Sequence, residues 1–379
     1  MANIFARSPY IIEVDETSVV GSQLDLTFYY PGTSPGTAQY TLNKKIPASN
    51  NLKMYYDISP YCREYLKFTT RQSIIGTLPT TSGIVASNND QYVLLRVQRY
   101  KETTIGNFTL LDTTTYYCFD GYGYYLEGSN PTNADYIFSG SKYATLKEGT
   151  YDYKYSALGN PTTNTDDRAG ILGVYNAASV DSVKYTDLVT GSSTTFTTPF
   201  AAGNTLYDVP SVWVGYYANG NKLEIWQNIG SPSAVLLGTW NFKPVCEPKY
   251  TPVMIDFVNK FGYWQREFFY KASKNSISVQ ETEYNLMQSN SLSYSTLEGQ
   301  RRAFNINGQE SIVCNTGFVD EGYSETIQQI LLSEKILLDN LPVTTSTKSI
   351  DKIKGVNAEK PINYQISFKY SFDAINSVI

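Results

Sequence analysis

The sequence predicts a mainly β protein of 379 residues, built as two or three β-sandwich-like domains with a few short helices. Three observations predict it. The chain carries 33 Tyr and 17 Phe but only 17% charged residues, and aromatic and β-branched side chains suit a pleated, half-buried surface. Apolar and polar residues alternate over short stretches, the period of a strand with one wet face. Pro-Gly and Asn-Gly turn signals separate those stretches. The length exceeds what one ordinary core fills, and 41% hydrophobic residues suffice to fill several.

The first segment, residues 1–128, is expected to be a β-sandwich-like domain. Residues 10–15 read as a strand, and in residues 23–30 Leu24, Leu26 and Phe28 alternate with Asp25 and Thr27. A turn through Pro31, Gly32, Pro35 and Gly36 leads to a partner strand at 40–46, which makes a hairpin. Residues 58–66 read as a short helix with Ser59 as its cap and Pro60 in its first position. Strands resume at 92–100 and 114–119.

The second segment, residues 129–248, is richest in Asn, Thr and Gly and is expected to be a small β domain. Its clearest signal is Asn219-Gly220, which predicts a tight turn between strands within residues 211–226. Pro244, Pro248 and Pro252 suggest an extended linker into the third segment, residues 249–379. There, Asn259-Lys-Phe-Gly262 predicts a hairpin turn, and Asn307-Gly308 predicts another. Ile327, Ile330, Leu331 and Leu338 fall at helical spacing, so a helix is expected over 324–338 with Ser324 as its cap. Residues 362–370 alternate as a strand.

Composition also excludes chemistry. No histidine is present, which removes histidine-dependent triads, imidazole metal sites and Cys-His proteases. Cys62, Cys118, Cys246 and Cys314 lie far apart with no C-x-x-C pair, so buried reduced thiols are expected. A net charge of −5 and a pI near 5.1 argue against a nucleic-acid partner. The densest basic stretch, Lys348, Lys352, Lys354 and Lys360, is interrupted by Asp351 and Glu359. The first residues lack the basic and apolar regions of a signal peptide, and no stretch is long and apolar enough to span a membrane, so neither export nor membrane insertion is expected.

Two constellations remain. Asp120 and Glu127 flank Gly-Tyr-Gly-Tyr-Tyr-Leu, and a carboxylate pair in an aromatic setting is what a glycosidase uses. The same residues also read as a turn after a strand, with its tyrosines packed. Asp166-Asp167-Arg168 sits in a polar stretch but lacks the spacing of a calcium loop. No phosphate-cradling glycine loop and no serine-nucleophile signature occurs. No catalytic, cofactor-binding or metal-binding residue is therefore assigned, and no cofactor is expected. The tyrosines suit either protein interfaces or sugar-stacking platforms, and interfaces are favoured.

Several packing motifs carry a resemblance. They are Phe5-Ala-Arg-Ser-Pro-Tyr-Ile-Ile12, Ile58-Ser-Pro-Tyr-Cys-Arg-Glu-Tyr65, Phe257-Val-Asn-Lys-Phe-Gly262 with Phe268-Phe-Tyr-Lys271, Ile327-Gln-Gln-Ile-Leu-Leu-Ser-Glu334, Pro342-Val343 and Asn363-Tyr-Gln-Ile-Ser-Phe368. With these the chain resembles virion structural proteins of tailed bacteriophages, the crAss-like group and its marine relatives among them. The resemblance implies a non-enzymatic component made in the host cytoplasm and placed in the virion, present in many copies in a ring, collar, neck, tail or fibre-attachment layer. Its partners would be copies of itself and neighbouring virion proteins, and it transfers no functional residue. A glycan-binding adhesin or receptor-binding fibre component, recognising a host surface glycan, is the alternative expectation. A carboxylate glycosidase is the second.

Overall fold

The computed structural model describes residues 2–47, 51–68, 84–86, 91–131, 144–148, 152–157, 170–176, 180–197, 200, 205–247, 249–286, 297, 299–351 and 362–376. Over these residues the chain is mainly β, with several sheets and few short helices, as its composition predicts. It divides into two compact units where the sequence suggests three segments: residues 1–247 with 257–267, and residues 248–256 with 268–379.

The first unit begins with β1 (Ala2–Phe5), β2 (Ile11–Asp15), β3 (Gly21–Tyr29), β4 (Tyr40–Lys45), β5 (Lys53–Asp57), α1 (Ser59–Arg63), β6 (Val85–Ala86), β7 (Tyr92–Thr104) and β8 (Asn107–Phe119). Its main sheet has the order β1-β8-β7-β3-β4, with β1 parallel to β8 and the other pairs antiparallel. The predicted β3–β4 hairpin forms, in a register that sets Leu24 opposite Leu42. Beyond the last ladder pair the Gln39 amide prolongs it, donating to the Phe28 carbonyl at 3.0 Å and accepting from the Phe28 N–H at 2.7 Å. β2 and β5 make a separate two-stranded ribbon.

Further along lie β9 (Tyr153–Ser156), β10 (Ile171–Asn176), β11 (Ser182–Asp187), β12 (Ser193–Thr197), β13 (Thr205–Pro210), β14 (Asn221–Gln227) and β15 (Val235–Val245). They form a sheet of order β10-β13-β6 and another of order β12-β11-β14-β15-β9.

Burial on both faces of the main sheet explains why one unit spans the first two predicted segments. One face, with Leu24, Leu26, Phe28, Val93, Leu95 and Val97, packs with Val14, Met54, Tyr56, Ile58 and Cys62 from the ribbon and α1. The opposite face, with Phe5, Tyr92, Leu94, Tyr117 and Phe119, packs with Ile171, Tyr175 and Leu206 of the second sheet and with Phe261 and Tyr263. The run Tyr92-Val-Leu-Leu95 is apolar without alternation because both of its faces are covered.

The second unit holds the body of one long sheet. Its strands are β16 (Val253–Val258), β17 (Trp264–Phe269), β18 (Lys274–Asn285) and β19 (Arg301–Val319), then α2 (Tyr323–Leu332), β20 (Ile336–Leu338), β21 (Leu341–Thr345) and β22 (Ile362–Asp373). The order is β17-β16-β20-β21-β22-β19-β18. Buried Ile312, Cys314, Ile336, Leu338, Val343, Ile366 and Phe368 fill this unit's core with Ile327 and Ile330 of α2. The predicted hairpin of β16 and β17 forms, and its tip, residues 257–267, belongs to the first unit.

Five local expectations are corrected. Ser59 is the first residue of α1 and does not cap it; its N–H and hydroxyl both donate to Asp57 Oδ1, which serves the helix end instead. Asn219-Gly220 does not join two strands, because residues 214–216 form a 3₁₀ turn. Asn221 ties that turn down, accepting from the Trp213 N–H and donating to the Ser211 carbonyl. Asn307-Gly308 lies inside β19, where the Asn307 side chain bonds both backbone groups of Ile375; the irregularity in this ladder falls near Asn305, which takes a φ of 55°. The helix expected over 324–338 ends at Leu332, and Ser324 is not its cap. Ser333 turns extended and its hydroxyl bonds Lys335, while Ile336 and Leu338 are buried on alternate positions of β20. Pro244, expected in a linker, lies within β15.

Among the described residues no helix is long and apolar enough to cross a membrane.

Candidate functional site

The two carboxylates singled out in the sequence are tied into packing. Asp120 follows β8 and lies 3.9 Å from the Arg63 guanidinium of α1. Glu127 closes a 3₁₀ turn over Tyr125–Glu127, one of its oxygens accepting from the Tyr124 N–H at 2.8 Å. Its other oxygen takes the Lys260 ammonium at 2.6 Å. That lysine is 3% exposed, and its ammonium also stands 4.1 Å over the Tyr124 ring. A buried ammonium needs such partners, so Glu127 neutralises a charge inside the first unit.

The hairpin tip that delivers Lys260 is fixed by its own polar groups. Asn259 is fully buried; its side chain accepts from the N–H groups of Phe261 and Tyr263 and donates to the Thr145 carbonyl at 2.7 Å. Gly262 has a φ of 76°, and a Cβ there would stand 2.5 Å from the backbone nitrogens of Asp120 and Gly121. The loop carrying the candidate carboxylates is thus a packing joint between chain segments.

Asp166, Asp167 and Arg168, with Lys352, Lys354 and Lys360, lie outside the described residues. Among the described residues no group of three or more Cys, Asp or Glu is placed to hold a metal ion.

The tyrosines divide unevenly between interior and surface. Fourteen described tyrosines are buried, and Tyr55, Tyr125 and Tyr284 alone among the described ones are exposed. Buried phenols find backbone acceptors, as Tyr185 does at Pro210 (2.7 Å) and Tyr217 at Ser156 (2.8 Å). About half of the described tyrosines are therefore core and most of the others are half-buried, so few stand fully exposed.

One cluster of half-buried tyrosines does border a cleft of about 440 Å³ beside the β3–β4 connection, lined by Tyr29, Tyr30, Gln39, Glu64 and Tyr65 among others. Tyr65 stacks on Phe28 at 4.2 Å, with ring planes 12° apart. Tyr40 donates to the Glu64 carboxylate, which holds the Tyr40 phenol above its ordinary pKa.

The second unit presents an exposed β18–β19 hairpin. Every residue of β18 is exposed, and the strand is the last in its sheet, bonded to β19 on one side. Ile277 and Val279 point to one face and are 56% and 57% exposed. On the other face Tyr284 meets Phe304 edge-on at 5.6 Å. Ile306, Phe372 and Ile375 add further exposed apolar surface to this unit. The sequence reading passed over residues 274–285, although Ile277 and Val279 alternating with Ser276, Ser278 and Gln280 is a strand signal.

Compared with known protein families, curated proteins and solved structures, the chain matches none.

Proposed function

We propose that the chain is a non-enzymatic structural subunit that assembles in many copies in the neck, tail or fibre-attachment layer of a bacteriophage particle. The observation that carries this reading is the twelve-residue outer strand β18, exposed along its whole length and bearing apolar side chains. Exposed, flat edges of this kind are templates for pairing with another chain. The use of Asp120 and Glu127 in packing supports the same reading, since it gives both carboxylates a structural role. The packing motifs that resemble virion proteins supply the setting.

Analytical ultracentrifugation of the purified chain, followed by electron microscopy of the assembly, tests the proposal. Discrete, concentration-dependent oligomers and recovery with particles are expected. A monodisperse monomer at high concentration, absent from particles, overturns it.

The tyrosine-lined cleft favours a second reading, a module that stacks a host glycan on Tyr29, Tyr30 and Tyr65. A glycan array with Tyr65→Ala as control decides: signal lost in the variant supports it, and a blank array removes it.

A further inference from the structure

We infer that β18 pairs antiparallel with β18 of a second copy of this chain, about a two-fold axis through Ser278. This deepens the reading that the chain assembles in copies and rests on it. Among the described residues no strand pairs with the outer edge of β18, and the middle of that edge is unguarded. Natural edges are blunted by proline, bulges or charges in mid-strand, yet residues 275–280 contain no proline and no charge. The irregularity of this ladder puts its additional residue in β19, where two residues separate Phe304 from Asn307 while one separates Gln280 from Thr282, so β18 keeps a regular alternation. At about 3.4 Å per residue it offers an edge of roughly 40 Å.

The charges of the strand set the direction of the pairing, and its apolar ridge matches a second copy of itself. Lys274 stands at its start, and Glu281 and Glu283 stand near its end. Glu283 is paired with Arg301 of its own hairpin at 3.8 Å; in-register parallel pairing of two copies would set Glu281 and Glu283 abreast of their own mates, whereas antiparallel pairing separates them. The apolar side chains choose the register. With Ser278 opposite its own mate, Ile277 of one copy faces Val279 of the other, and the reverse, so four exposed β-branched side chains cover one another on one face. Lys274 then lies opposite Thr282, on the face away from Glu281 and Glu283. Glu281 faces Asn275 and Glu283 faces Ser273, so no like charges are opposed.

A two-fold axis normal to the sheet requires that a residue face a residue of its own parity, and this register satisfies that condition along the whole strand. Gly308 helps to present the ridge. A Cβ there would stand 2.8 Å from the Ile277 side chain, so its absence lets that isoleucine lie flat across β19. The pairing makes one continuous sheet from the seven strands of each copy.

The test uses the full chain with exposed Cys246 replaced by Ser. Ser278→Cys places two thiols across the axis within disulfide reach, whereas Thr282→Cys places them roughly 27 Å apart. Under copper-phenanthroline and air, Ser278→Cys is expected to form covalent dimers at least ~10-fold faster than Thr282→Cys. Ile277→Lys is expected to raise the dissociation constant by roughly 100-fold, because it sets two like charges in the paired face. Ile277 is more exposed than buried, so the variant keeps the parent's thermal transition, which confirms that the fold survives. Equal cross-linking of the two cysteine variants, or oligomers unaffected by Ile277→Lys, overturns this interface and leaves the assembly reading standing. A wild-type chain that stays monomeric removes both.

Discussion

At the scale of single residues, the cysteines show how burial decides reactivity. Cys62 and Cys118 lie with their sulfurs 3.4 Å apart in the core beneath α1. Burial pushes the Cys118 thiol well above its ordinary pKa, and the hydrogen bond to Cys62 adds to the effect. Burial likewise pushes the Cys314 thiol up to about 12. Cys246 is the exposed member of the four. Because the thiolate is the reactive species, Ellman's reagent at pH 8 should titrate one thiol rapidly, with three more appearing only on unfolding. Cys246→Ser should abolish the fast phase, and a second fast thiol would contradict the burial of the other three. The lack of C-x-x-C spacing in the sequence suggests reduced, buried thiols. That two of them would meet across fifty-six positions was not legible, since only folding brings α1 against β8.

Elements show where local signals prevail and where they yield. Asn259-Lys-Phe-Gly262 was legible as a hairpin turn, because Gly262 supplies the positive φ that the turn needs. Gly262→Ala should be strongly destabilising, by about 3 kcal/mol or more, since a left-handed backbone and a 2.5 Å approach to backbone atoms must both be accommodated. A thermal melt within a degree of the parent's would refute this. In the β11–β12 connection, Asp187 accepts from the N–H groups of Thr190 (2.7 Å) and Val189 (2.8 Å), and from Asn219 (2.9 Å). The Thr190 bond leads in holding its carboxyl below the usual value, with Asn219 and Val189 contributing. A carboxyl whose pKa is lower folded than unfolded stabilises the fold fully above the unfolded value, near 3.9, and loses that contribution as the pH falls through the folded one. Asp187→Asn should therefore flatten the loss of stability below about pH 4, in denaturant titrations run from pH 6 to pH 2. An unchanged acid slope would exclude the assignment. The helix predicted over 324–338 was legible in its first half alone. Ile336 and Leu338 fit a helix and a strand equally by spacing, and the neighbouring strand β21 decides between them.

For the molecule as a whole, the decisive fact is that the main sheet of the first unit is buried on both faces. Residues 1–128 supply one layer and the sheet, while residues 129–248 and the 257–267 tip supply the other layer. A fragment of residues 1–128 would leave Tyr92, Leu94, Tyr117 and Phe119 uncovered, and each fully buried side chain of this kind contributes about 2 kcal/mol. Such a fragment should bind the dye ANS and melt without cooperativity. A sharp melt and no dye binding would show that the segment folds alone.

By itself, the sequence determined the class of the fold, the chemistry denied to it and the places of several turns. Composition, alternation and left-handed glycines act locally, within a few residues of where they are read. Only the tertiary structure decided that Glu127 meets Lys260 across 133 positions, that fourteen of the described tyrosines are interior, and that β18 stays exposed. Those outcomes depend on which faces cover one another, and a strand's alternation states that it has an apolar face without stating what, if anything, lies against it.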